Sequence, residues 1–127
     1  MSALSDYAEN LLNTWLMTGD SATRPTAWYV ALFTSAPNDA GGGTEVSTGG
    51  YARQSATFTV TGDTASNTAI LDFTAGGASW GTITHIGIFD AVSGGNLLWH
   101  GAMTASKAIG DGDTLSFGIG AIDLTIA

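Results

Sequence analysis

The side chains that could bind a metal ion or catalyse a reaction are few and widely spaced. His85 and His100 are the two histidines of the chain, and they lie in the two arms of a predicted hairpin. With Asp72 or Asp90 nearby they could ligate a metal, but metal sites normally show closely spaced ligands, and no third ligand is evident. We therefore expect no metal site and interpret both histidines as polar residues of a sheet surface.

Two loop segments resemble parts of ligand-binding loops but lack their essential residues. Asp111-Gly112-Asp113 has neither the further Asp/Asn ladder nor the terminal Glu of a calcium loop, and predicts a turn. Gly41–Gly43 and Gly49-Gly50 are not followed by the lysine of a phosphate-binding loop. No Gly-x-Ser-x-Gly elbow occurs, and Glu45 has no evident carboxylate partner for glycoside hydrolysis. We expect no catalytic residue, no cofactor and no enzymatic activity.

The charge balance is acidic and the charge content is low. Eleven acidic residues against three basic ones give a net charge of −8. Three basic residues cannot form the phosphate-neutralising surface that nucleic-acid binding needs, and anionic membranes are disfavoured for the same reason. Charged residues make up 11% of the chain, about half of the usual ~25%. A surface rich in Thr, Ser, Asn and Gly suits a subunit that partners cover.

Length and missing sequence signals limit the organisation of the chain. At 127 residues we expect a single domain, 1–127, that can bury a core of its own. The absence of cysteine excludes disulfides and Cys-ligated metals. No apolar run approaches the roughly 20 residues of a membrane span, and the N-terminus lacks the regions of a signal peptide. We expect a product of the cytoplasm without a membrane partner.

One α-helix is predicted, at about residues 4–18. Ser5 can cap its start, and Gly19 is expected to end it in the left-handed conformation. The apolar stripe of this helix either packs on a sheet face or docks on a partner subunit. Its apolar residues recur at helical spacing: Leu4, Ala8, Leu11, Leu12, Trp15 and Leu16.

The remainder of the chain predicts β-strands separated by turns. Ala27–Phe33 is apolar on both faces, which indicates a strand covered on both sides. Apolar and polar residues alternate over Tyr51–Val60, which predicts one strand. The pair Thr82–Phe89 and Asn96–Met103 predicts a hairpin. Ala40–Gly50, which contains five glycines, predicts a flexible loop.

The C-terminal strand region changes the face on which its apolar residues lie. They stand at odd positions up to Ile119 and at even positions from Ile122 onwards. Because a strand has a side-chain period of two, the inward set must change near Gly118–Ala121, through a bulge or a crossing between sheets. Such corners are typical of sandwiches and barrels. The predicted fold is therefore mainly β: a β-sandwich or small barrel, jelly-roll-like, with one N-terminal α-helix.

Several segments resemble those of small virion proteins of tailed bacteriophages. They are YVALFTSAP at Tyr29–Pro37, GGYAR at Gly49–Arg53, WGTITHIGIFDA at Trp80–Ala91 and GGNLLWHGAMT at Gly94–Thr104. The resemblance covers nearly the whole chain and includes the predicted helix. Proteins of this kind are encoded among head and tail genes and are often labelled hypothetical or tail-fibre-like.

The resemblance implies a non-enzymatic component of the virion. The favoured interpretation is a capsid decoration, or cement, protein on the capsid surface, which binds the major capsid protein, stabilises contacts between its subunits and is often a homotrimer. The alternatives are a tail-fibre or baseplate component and a carbohydrate-binding module, in which tryptophans would stack on sugars. Decoration is favoured because the chain has no heptads or fibrous repeats for a shaft. Assembly would take place in the host cytoplasm.

The contact residues that we predict lie in the helix and beside the glycine-rich loop, both of which stand outside the regular strand pattern. They are Leu4, Leu11, Leu12, Trp15, Tyr51 and Arg53.

Overall fold

A computed structural model describes residues 2–126. Within that range the chain forms one α-helix near its N-terminus and eleven short or medium strands. The elements are β1 (Ser2–Leu4), α1 (Asp6–Met17), β2 (Tyr29–Ser35), β3 (Thr44–Glu45), β4 (Gln54–Ser55), β5 (Phe58–Thr61), β6 (Thr64–Asn67), β7 (Leu71–Thr74), β8 (Gly81–Phe89), β9 (Leu97–Ile109), β10 (Thr114–Phe117) and β11 (Asp123–Thr125).

The larger sheet is antiparallel and is organised around the β8–β9 hairpin. Its strand order is β1-β9-β8-β2-β3, and β4 also pairs with β2. Val30 lies opposite Ile88, and Leu32 lies opposite Ile86, so these apolar side chains share one face. The predicted hairpin is confirmed, although β9 continues to Ile109 and carries a register shift in its second half.

The second layer consists of two small sheets. β5 and β6 form a hairpin, and β11 adds to β6, whereas β7 pairs with β10. β10 and β11 therefore belong to different sheets, and a turn over Gly118–Ala121 joins them, closed by a hydrogen bond from Ala121 N to Gly118 O of 3.0 Å. The predicted change of face is confirmed, and its form is a crossing between sheets.

The hydrophobic core lies between the two layers. Phe73, Leu32, Ile83 and Ile88 are its largest fully buried apolar side chains, and Phe73 meets Phe117 edge to face at a centroid distance of 6.0 Å. The prediction of a mainly β fold with one N-terminal helix is confirmed. The sandwich form applies rather than the barrel, since the sheets of residues 2–126 do not close on themselves.

The region predicted as one strand, Tyr51–Val60, is divided between the layers. β4 pairs with β2 in the larger sheet, whereas β5 pairs with β6 in the smaller one. The alternating pattern does not reveal this crossing, because Ala56 is buried as expected while Val60 is 71% exposed. In the same way, the glycine-rich segment 40–50 contains the short strand β3.

The helix α1 begins as predicted and ends differently. The Ser5 side chain accepts a hydrogen bond from Ala8 N at 3.1 Å, which is the expected N-cap. The left-handed cap at Gly19 is wrong, because the helix ends at Thr18 in an extended conformation, with its side chain donating to Thr14 O at 2.7 Å. No helix within residues 2–126 has the length and apolar character needed to cross a membrane.

Candidate interaction surface

An apolar groove of about 360 Å³ runs between α1 and the segment that leads into β2. One wall is the helix, and the other comes from the turn before β2, with β1, β9 and the C-terminal strand region at its floor and end. We call this feature, together with the exposed end of α1, the helix groove. It is lined by Leu4, Ala8, Leu11, Leu12, Trp15, Ala22, Arg24, Pro25, Trp28, Leu98, Trp99 and Ile126.

The first turn of α1 is fixed to the domain, whereas its last turn projects from it. Ser5 is buried, with its backbone N–H bonded to Leu98 O at 2.9 Å and its hydroxyl bonded to Leu97 O. By contrast, Trp15 is 66%, Leu16 59% and Met17 78% exposed. Successive helical residues lie about 100° apart, so these three side chains point in three directions. The helix end is therefore apolar on most of its circumference.

The structure brings together four of the six predicted contact residues. Leu4, Leu11 and Leu12 are half-buried in the groove, and Trp15 stands at its exposed side. Sequence reasoning missed the opposite wall, of which Trp28 is part, because these residues meet the helix through the fold. It also missed Met17, which lies off the helical stripe.

Tyr51 and Arg53, the other two predicted contact residues, lie outside the groove in a network around Glu45. The Arg53 guanidinium donates to both carboxylate oxygens of Glu45 at 2.8 Å and to Ala91 O and Gly94 O at 2.9 and 2.8 Å. Its Cζ atom lies 3.7 Å from the centroid of the Phe89 ring. These contacts occupy the Arg53 side chain, which is 7% exposed, within the chain itself.

The same network shifts the ionisation of its members. Burial opposes charge on Glu45, but hydrogen bonds from Arg53 and Tyr51 outweigh burial and lower the Glu45 pKa. Burial and the bond to Glu45 raise the pKa of Tyr51, whose hydroxyl donates to Glu45 at 2.6 Å and accepts from Leu32 N at 3.0 Å. The network joins β3, the loop before β4, and the β8–β9 turn, so it holds these three segments together.

The two histidines occupy separate hydrogen bonds. His100 Nε2 lies 2.7 Å from Asp39 Oδ1, and His85 Nδ1 lies 2.8 Å from Thr84 Oγ1. Within residues 2–126 no three His, Cys, Asp or Glu side chains are grouped in a way that could hold a metal ion.

Three of the four tryptophans are partly or fully buried. Trp80 is 6% exposed and donates to Gly49 O at 3.0 Å, while Trp28 and Trp99 pack against the core. Trp15 is the tryptophan that stands out from the surface in the described range. Trp15, Trp28 and Trp99 all line the helix groove.

A second, larger opening of about 750 Å³ lies between β9 and the β10–β11 segment. Ile86, Met103, Phe117 and Leu124 are among its lining residues. Trp99 separates this opening from the helix groove, and its buried Nε1–H has no hydrogen-bond partner within the described chain. An unsatisfied donor of this kind costs about 1–3 kcal/mol.

The fold and the surface together define a two-layered β-domain with an exposed apolar helix end. Residues 3–125 match the family model described as Podophage GP4 fiber I protein gp80. Because the match spans nearly the whole chain, the chain belongs to this family of podophage fibre proteins. It is thus a structural protein of a tailed-phage virion, as the sequence resemblance implied. No curated protein matches the chain.

Proposed function

We propose that this protein is a non-enzymatic structural component of a tail fibre in a podophage virion. The observation that carries the proposal is the family match over residues 3–125, because the family is described by a fibre protein. Capsid decoration, the interpretation that the sequence favoured, draws no support from that match. The tail-fibre alternative fits it better, and under this proposal the protein lies at the tail of the particle rather than on its shell.

The internal construction of the domain supports a load-carrying role. Side-chain hydrogen bonds join neighbouring strands on the outer face of the small sheets. Examples are Thr74 to Thr114 at 2.8 Å and Ser116 to Asp72 at 2.5 Å. The Glu45–Arg53 network adds a charged tie across the larger sheet. Side-chain bonds between neighbouring strands resist sliding of one strand past the other. This suits a virion component that must keep a fixed geometry.

The experiment that tests the proposal is the location and copy number of the protein in purified particles. Electron microscopy with a gold-labelled antibody should place the label at the tail, and quantitative mass spectrometry should give a small fixed number of copies relative to the major capsid protein. Particles made without the gene serve as the control for antibody specificity. Label spread over the shell at a stoichiometry near that of the coat protein would establish decoration instead, and absence from particles would refute both.

The non-enzymatic part of the proposal has a separate test. His85→Ala removes a half-buried histidine that bonds its neighbour Thr84, and we expect particles with this change to adsorb and infect normally. A large loss of infectivity with the fold intact would indicate a chemical role for the imidazole. The major capsid protein as partner remains a prediction tied to the decoration interpretation.

A further inference from the structure

We propose that the helix groove is a self-association surface, and that its occupant is a second copy of this chain. This inference concerns the purified protein and does not depend on where the protein lies in the virion.

The first observation is that α1 is poorly supported within a single copy. Of its 12 residues, Ala8 is the one that is buried. Helices of this length are marginal on their own in water and normally gain their stability by burying an apolar face. Here the apolar residues of the last turn remain in solvent, so a single copy leaves the helix without the packing that its sequence is suited to make.

The second observation is that one surface supplies both a projection and a recess. Trp15, Leu16 and Met17 project from the helix end, while the groove beside them is an apolar recess of about 360 Å³. A surface that is both donor and acceptor of apolar side chains is what two identical chains need in order to pack together. Burying a tryptophan removes roughly 150–250 Å² from solvent, so a few such side chains supply much of the roughly 800 Å² per partner of a stable interface.

The third observation is the distribution of charge. Arg24 lines the groove and makes no ion pair within the described chain. The helix beside it carries Asp6 and Glu9 and no basic residue in its last turn, and these carboxylates also have no cationic partner in residues 2–126. A second copy carries the same two features, so the Arg24 of each chain has unpaired acidic groups available in the other.

The test is the solution mass of the full chain by analytical ultracentrifugation and light scattering. The wild type is expected at a multiple of 12.9 kDa at micromolar concentration, and the multiple also tests the predicted homotrimer. Leu16→Glu and Met17→Glu alter exposed side chains, so the fold should survive, as circular dichroism would verify. Each change should weaken association at least 100-fold, because a charge would enter an apolar contact. Arg24→Glu should weaken it about 10-fold.

The matched control is Val60→Glu, which places the same charge at an exposed apolar residue of the other layer, 71% exposed against 78% for Met17. It should leave the mass unchanged. A wild type that is monomeric at 100 times that concentration would overturn the proposal, as would Leu16→Glu without effect, or Val60→Glu with an equal effect. The particle experiment above reads location only, so either proposal can fail without the other.

Discussion

Replacing Arg53 by Ala should destabilise the domain by about 3 kcal/mol. The change deletes four hydrogen bonds, two to Glu45 and one each to Ala91 O and Gly94 O, as well as the contact with the Phe89 ring. Removing one member of a fully buried ion pair costs roughly 3–5 kcal/mol, whereas an exposed pair contributes about 0–1 kcal/mol. The Glu45 side chain is 25% exposed, which places the expected loss between these limits.

The assay is urea unfolding followed by circular dichroism, with all variants at one protein concentration because association would raise apparent stability. For a chain of this length, about 3 kcal/mol corresponds to a fall in Tm of roughly 10 °C. Arg53→Lys keeps the charge but not the planar fork that reaches four oxygens, so it should recover less than half of the loss. Lys107→Ala, at an exposed cation that makes no ion pair within residues 2–126, is the control and should change stability by less than about 0.5 kcal/mol.

A double-mutant cycle with Glu45→Gln separates the ion pair from the carbonyl contacts. We expect a coupling energy of about 1–3 kcal/mol between the two sites. A loss below about 1 kcal/mol for Arg53→Ala, or strict additivity of the two changes, would refute the claim that this network ties the larger sheet together.

Three further predictions concern stability. Because the pKa of Glu45 is lowered in the folded state, the unfolded chain binds more protons at acidic pH. The stability that Glu45 contributes is therefore present above its ordinary pKa of about 4.3 and is lost as pH falls through the folded value. In unfolding measurements from pH 7 to 3, Glu45→Gln should lose less stability on acidification than the wild type. Gly49→Ala should destabilise the domain by more than about 3 kcal/mol, since the new Cβ would lie 2.4 Å from Ala78 O. Gly62 has nearly the same positive φ but faces open space, so Gly62→Ala should cost about 1 kcal/mol. Equal losses of stability would contradict the packing argument. Asn67→Ala, which removes buried bonds to Gly118 O and Ile122 N, should lower stability by about 2–4 kcal/mol in thermal unfolding, and a neutral result would exclude Asn67 as the support of the sheet crossing.

Much of the fold could be predicted from the local spacing of apolar residues. The exchange of odd for even apolar positions near Gly118–Ala121 is a property of consecutive residues, so the sequence displays it directly, and the structure shows a crossing there. The division of Tyr51–Val60 between two sheets is different. It depends on β4 pairing with β2, while β5 forms a local hairpin with β6. The non-local pairing of β4 is not visible in a segment whose apolar residues alternate throughout.

The candidate surface divides along the same line. The stripe of α1 follows from helical spacing, but whether it is buried depends on what the rest of the chain places over it. The residues that face it come from the segment just after the helix, from β9 and from Ile126, and only the fold places them beside the stripe. The same holds for Arg53, where GGYAR was visible as a motif but its partner Glu45 was reached only through a turn at two glycines of positive φ.

The preference for capsid decoration over a fibre rested in large part on the absence of heptads and fibrous repeats, and the argument from heptads was too narrow. Heptads report on α-helical coiled coils, so their absence excludes one kind of shaft and has no bearing on a fibre component made of β-sheet. This chain is mainly β, and side-chain hydrogen bonds join the neighbouring strands β7 and β10. A fibre component of this kind needs no helical rod, so the absence of heptads does not conflict with the family match to a fibre protein.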